Sequence, residues 1–158
     1  MGRHVVLGLG NILNMDEGVG VHALKMLAAH LPDESDVEFI DGGTLGLNLL
    51  PLVEASSYLL LLDAVSAGRE PGAVVELQRD EIPLYSGVKL SQHQATFQEV
   101  LGLASIRGKL PAALHLIGVQ PADLSVGVGL SPVVAAAVPD VVARAVAKLS
   151  EWKLTSEA

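Results

Sequence analysis

The chain has no cysteine among its 158 residues, which excludes disulfide staples and thiolate metal sites. Aromatic residues make up only 3%, so Leu, Val, Ile and Ala must fill the interior. Basic residues are few: ten Lys and Arg stand against eighteen Asp and Glu, for a formal net charge of −8 and an isoelectric point of about 4.9. The basic residues are also scattered. Proteins that grip phosphate backbones cluster them, so nucleic acid is not an expected partner. A cation, or a neutral or basic partner, suits the chain better. No apolar run approaches the roughly 20 residues needed to span a bilayer, because Pro, Asn, Ser or Asp breaks each long stretch. The opening MGRHVVLGLGN has one arginine and a short apolar run leading into a turn, and reads as a first strand rather than a signal peptide. A cytoplasmic protein without membrane insertion is expected.

What the sequence does have is core material. Half the residues are hydrophobic and the mean hydropathy is +0.46, enough for a single domain over residues 1–158. The runs at 4–9 (HVVLGL), 37–40 (VEFI), 58–63 (YLLLLD) and 114–119 (LHLIGV) lack polar alternation, as do parallel strands covered on both faces. AVVELQ at 73–78 follows a Pro-Gly and has one solvated face, which suits an edge strand, with an antiparallel direction among the options. Helical patterns occupy 17–30, 44–56 with Pro51 inside or near a kink, 92–104 with Ser91 and Gln94 as a capping box, and 132–149. The last begins with Ser131 and Pro132 as N-cap and first residue, and Pro139 is expected to bend or restart it. Residues 150–158 form a polar tail expected to fray. The order of elements predicts an α/β fold: three layers, with a twisted, mostly parallel sheet of about five strands and helices on both faces.

The stretch GLGNILNMDEGVG at 8–20 follows the first strand as a phosphate-binding loop does. However, Leu13 occupies the third-glycine position of a dinucleotide fingerprint, and there is no Gly-Lys-Ser/Thr. Two acids, Asp16 and Glu17, stand where a phosphate would be repelled. Functional sites in open α/β sheets form at the carboxyl ends of strands. The first strand leads to Asn11, Asp16 and Glu17, the second to Asp41 in DGGT, and the third to Asp63. If the first and third strands are neighbours, Glu17 and Asp63 flank one crevice and Asp41 lies near its edge. Like charges gathered there call for something positive among them. Of the histidines, His4 and His115 fall in strands and His22 and His30 on the first helix. His93, in SQHQ, sits at a loop-to-helix junction from which a side chain can reach a cleft. Glu17, Asp63 and His93 offer an oxygen, oxygen, nitrogen set with open positions, suited to a divalent first-row metal such as nickel or zinc. Each residue also has a plainer role. Asn14 to Glu17 could be a capping box, Asp63 a turn cap, His93 a surface residue, and Gly42 and Gly43 turn glycines with positive φ.

Taken in order, LGLGNILNMDEGVGVHAL, EFIDGGTLGLNLL, LLLLDAV, SQHQ, and LHLIGVQPADL followed by GLSP resemble the nickel–iron hydrogenase maturation proteases over most of the chain. GLGN also opens peptidyl-tRNA hydrolases, but their His-Asn segment is absent and the acidic balance fits tRNA poorly. The resemblance implies a five-stranded sheet between helices and metal-contacting residues at Glu17, Asp63 and His93, with Asp41 as a further acid near the site. It also implies one endoproteolytic cut, which removes a short C-terminal extension from the large-subunit precursor after nickel insertion. The nickel is carried by the precursor and recognised by the enzyme, which is expected to be a monomer. Two chemistries fit: a metal-polarised water, or a carboxylate base, Asp41 or Asp16, with the metal used for recognition. Two other classes are weighed. One is a dinucleotide-binding oxidoreductase, with Gly8 and Gly10 at the phosphates and Asp41 on the ribose. The other is a non-catalytic metallocentre assembly chaperone using the same cleft.

Overall fold

The computed structural model describes residues 2–31, 36–43, 45–82 and 92–157, with the backbone alone for 46, 47, 92–96 and 154–157. Five strands, β1 (His4–Leu9), β2 (Val37–Gly43), β3 (Tyr58–Ala64), β4 (Val74–Gln78) and β5 (Ala113–Val119), lie in the order β2-β1-β3-β5-β4. The first three pairings are parallel, and β4 closes the sheet as an antiparallel edge on β5. The half-solvated pattern of AVVELQ thus has its physical cause at the edge, where one strand neighbour is missing.

The helices are α1 (Val19–His30), α2 (Leu50–Ala55), α3 (Gln92–Ile106), α4 (Pro132–Ala135) and α5 (Val138–Glu157). Strand side chains alternate between the two faces. Val6, Leu60, Leu62 and Ile117 pack with Leu24 and Leu27 of α1 and Val141 and Ala145 of α5. Val5, Leu7, Leu59 and Leu61 pack with Val53 of α2 and Phe97 and Leu101 of α3. The expected three layers are therefore present. None of the described helices is long and apolar enough to cross a membrane.

Several local expectations are refined. A 3-10 turn, Met15–Gly18, precedes α1, and another, Gly46–Leu49, precedes α2. Pro51 sits in the first turn of α2, where its missing N–H breaks no helical bond. The last helical pattern divides into α4 and α5, with Pro139 in the first turn of the restarted helix. The tail expected to fray instead continues α5 to Glu157. Trp152 is buried there, its ring 5.7 Å from that of Tyr58, which gives this turn a hydrophobic anchor. Of the two supposed turn glycines only Gly43 has positive φ, at 46°. Gly42 packs closely instead, since a Cβ on it would lie 2.8 Å from the end of the Leu7 side chain. Ser91, the proposed cap of α3, falls outside the described residues.

The start of α1 is pressed onto the backbone of the sheet. A Cβ on Gly20 would lie 2.1 Å from the Leu62 carbonyl oxygen and 2.7 Å from that of Leu9. Alanine would gain about 1 kcal/mol of helix propensity, but a backbone carbonyl cannot rotate away as a side chain can. Gly20→Ala is therefore expected to cost about 2 kcal/mol net from overpacking, read as a lower urea midpoint. A variant as stable as the parent would refute this account of the helix–sheet contact.

A candidate site built on a buried acid pair

The chain leaves β1 through Gly10, whose φ is 110° and whose N–H donates to the Gly43 carbonyl at 3.0 Å. A Cβ there would lie 1.9 Å from the Glu17 carbonyl oxygen and 3.5 Å from Asp63 Oδ1. Only glycine tolerates both the dihedral and the space. The turn that carries Glu17 is thereby folded back against the end of β3, because β1 and β3 are hydrogen-bonded neighbours. Glu17 is 7% exposed and Asp63 2% exposed. The two acids are near enough for the Glu17 charge to act on the Asp63 carboxyl.

Their surroundings set their chemistry. Burial pushes the Asp63 carboxyl well above the usual carboxylate range. The Ala64 N–H, donating to Oδ1 at 2.8 Å, opposes that shift, and the Glu17 charge adds to it. Asp16, one residue before Glu17, has the opposite fate. Burial alone would raise it, but its carboxylate accepts from the N–H of Ser131 at 2.7 Å, Asp123 at 2.8 Å and Ala122 at 2.9 Å, and from the Ser131 hydroxyl at 2.8 Å. Together these hold it below the ordinary value. A carboxylate so engaged has little affinity for a proton and no free face toward substrate. Asp16 is a structural anchor, not the base that the sequence allowed.

The plainer readings fare unevenly. Asn14 makes no side-chain capping bond; its amide donates to the Leu124 carbonyl at 3.3 Å. Ser131 stands at the N-cap of α4 as expected, but its hydroxyl goes to Asp16 and not to the helix. Asp63 does bond its neighbour's N–H locally, yet it is buried beside Glu17 and not set in an exposed turn. His4 stacks on Tyr58 with ring centroids 4.1 Å apart, and His115 Nε2 lies 2.8 Å from Glu76. His93 is in the first turn of α3, and its side chain lies outside the described residues. Among the described residues no three metal-ligating side chains converge; the pair Glu17 and Asp63 stands without a described third member.

Asp41 is not part of the pair. It is exposed, and its register partner in β1 is Gly8, itself paired with Leu62 of β3. Alternation then assigns Asp41 to the α1 face and Asp63 to the α3 face, with roughly 10 Å between the backbones of β2 and β3. An open depression of about 680 Å³, lined by residues including Pro51, Glu54, Ser57, Lys109 and Pro111, lies at the amino ends of β3 and β5, the wrong edge for this chemistry. Sequence reasoning quoted parts of the loop 121–131, PADL and GLSP, for the resemblance but gave them no place in the site. Nothing in its composition signals that it is tied to Asp16 across more than 100 residues.

Fold and site together define a three-layer α/β protein with a buried carboxylate pair at the carboxyl edge of its sheet and acids in place of a phosphate-binding loop. Residues 21–148 match the hydrogenase maturation proteases of the HycI type; the match begins beyond Glu17. The chain is 40% identical over 152 residues to the hydrogenase expression/formation protein HupD of Rhodobacter capsulatus, spanning 95% of this chain and 72% of that protein. It is 38% identical over 152 residues to the hydrogenase 2 maturation protease of Escherichia coli, covering 94% and 92%. The structure of the maturating endopeptidase HybD from E. coli superposes with a TM-score of 0.85 at 37% identity, over 94% of this chain and 93% of that one. This chain belongs to the hydrogenase maturation protease family.

The two aspartates predict opposite pH effects on the metal-free protein. Asp63 is raised, so the stability from its protonated native form is present below about pH 4 and lost as pH rises through its folded value. Asp63→Asn removes that loss, and its melting temperature should exceed the parent's at neutral pH but not in acid. Asp16 is lowered, so its contribution is present above about pH 4 and lost as pH falls through its folded value. Asp16→Asn should cost about 3 kcal/mol at neutral pH, since an amide NH2 would face hydrogen-bond donors, and less in acid. Thermal melts across that range check both signs.

Proposed function

We propose that this protein makes one endoproteolytic cut, which removes the C-terminal extension of a nickel–iron hydrogenase large-subunit precursor after nickel has been inserted. Glu17, Asp63 and His93 engage the nickel that the precursor carries, so the metal belongs to the substrate. The observation that carries this reading is the buried pair Glu17 and Asp63. Asp63 resists ionisation where it stands, and a divalent cation entering beside it reverses that preference. This reading takes His93, in the first turn of α3, as the third donor. It stands one helical turn ahead of Phe97, which packs on the same sheet face as Leu61 and Val65, the residues that alternate with Asp63.

In this reading the docked nickel brings the scissile bond to the sheet's carboxyl edge. Water activated beside the cation attacks the amide carbonyl, the C–N bond breaks, and the departing nitrogen takes up a proton. Asp41 is a rim residue. A second reading is favoured by the raised proton affinity of Asp63. Here the Asp63 carboxyl, beside Glu17, takes the proton of the attacking water itself.

With purified nickel-loaded precursor, cleavage is read as the loss of the extension's mass. Glu17→Gln, Asp63→Asn and His93→Ala should each slow it by about 100-fold or more, the scale of losing a metal contact or its support. They should also weaken cadmium binding measured by calorimetry. Asp41→Ala should cleave like the parent; loss of cleavage with precursor binding unchanged would make Asp41 the base. Precursor lacking nickel should remain uncut, and its cleavage at the parent rate would favour the carboxylate reading. A parent protein that binds precursor without changing its mass would be an assembly chaperone, and one that binds NAD or NADP an oxidoreductase.

A further inference from the structure

Among the described residues, six of the ten large apolar side chains left exposed lie in the carboxyl-edge loops: Ile12, Leu13, Leu45, Leu124, Val126 and Val128. Five of them belong to two loops bonded into one unit. The Gly127 N–H donates to the Leu13 carbonyl at 2.9 Å, and the Met15 N–H to the Gly127 carbonyl at 3.2 Å. The Asp16 N–H donates to the Asp123 carbonyl at 3.0 Å, while the Asp16 carboxylate holds Ala122, Asp123 and Ser131. The turn bearing Glu17 is part of this unit. A loop so firmly held has no need to expose valines, yet Val126 is 88% and Val128 81% exposed.

Charge and size say what covers this rim. Residues 10–15 (GNILNM) and 124–130 (LSVGVGL) contain no charged side chain, in a chain of net charge −8. Apart from Asp123 at its margin, the rim offers a charged partner segment nothing to pair with. The apolar surface is on the order of 500 Å², within the range of the largest patch on a typical monomer and often functional at that size. It is continuous with the turn that carries Glu17, and so with the candidate site. It suits a segment of polypeptide.

We propose that this rim, Ile12 and Leu13 with Leu124, Val126 and Val128, seats an uncharged apolar segment of the precursor next to its scissile bond. The inference rests on the proteolytic reading above. Asp16 is then a positioning residue, holding the peptide rim in register with Glu17. Contact made before the cut and kept through it adds uniform binding, so its loss acts on KM and leaves kcat in place.

The test uses the full chain and nickel-loaded precursor. The double variant Val126→Ser with Val128→Ser changes two exposed side chains and should keep the parent melting temperature and cadmium affinity. KM for the precursor should rise about tenfold, with kcat within about twofold. An unchanged KM overturns the proposal. Independently, a photo-crosslinking phenylalanine analogue placed at Val126 should attach to the precursor within about ten residues of the cleavage site, the span of a short extended segment. Attachment to a second copy of this chain, to a distant part of the precursor, or to nothing overturns it. If the parent protein leaves the precursor's mass unchanged, the proteolytic reading fails instead. That outcome is distinct from a parent that cleaves and a variant that shows no change in KM.

Discussion

The carboxylate of Asp16 is the contact on which the functional edge of this protein depends. It has no exposed surface, and it gathers four hydrogen bonds from Ala122, Asp123 and Ser131. Those donors come from the connection between β5 and α4, while Asp16 comes from the turn between β1 and α1. One side chain therefore closes the edge of the sheet across two remote loops. An ionised group buried this way is tolerated only because every bond it accepts offsets part of its lost hydration. Glu17 inherits its place from this closure, since it is the next residue along a turn that cannot shift without breaking the set.

Two aspartates at the same edge show how environment, not residue type, decides a role. Asp16 and Asp63 are both buried. Asp16 faces four donors and stays ionised. Among the described residues Asp63 meets one donor, the Ala64 N–H, and the charge of Glu17, and favours its proton. The first is spent on structure; the second retains an unmet electrostatic demand. The glycines make this contrast possible. Gly10 and Gly20 let the β1–α1 turn and the first turn of α1 touch the backbones of β1 and β3, so the acids are brought in without any side chain between them.

Much of the fold was legible in advance because burial leaves a plain trace in composition. Strands covered on both faces must be apolar throughout, and YLLLLD and LHLIGV could be little else. The half-polar AVVELQ announced an edge, and Pro139 announced the break between α4 and α5. Glu17 and Asp63 were legible for a topological reason: parallel strands with right-handed crossovers bring their carboxyl ends to one side. The roles of Asp16 and Ser131 were not legible. Asp16 reads as one more acid in a turn and Ser131 as an ordinary N-cap, and no local pattern says that they find each other. The polar tail misled for a similar reason, since a single tryptophan packed on Tyr58 outweighs a run of polar residues.

By itself, then, the sequence determined the α/β class, the absence of a phosphate loop, the edge at which acids collect and the family resemblance. These follow from periodicity, composition and local motif, which act over a few residues. The tertiary structure alone decided which acid became an anchor, which was left with a raised proton affinity, and which, like Asp41, stood apart on the other face. Those outcomes depend on how many donors and charges meet each carboxylate. Such neighbours are set by contacts between segments more than 100 residues apart, beyond the reach of local pattern.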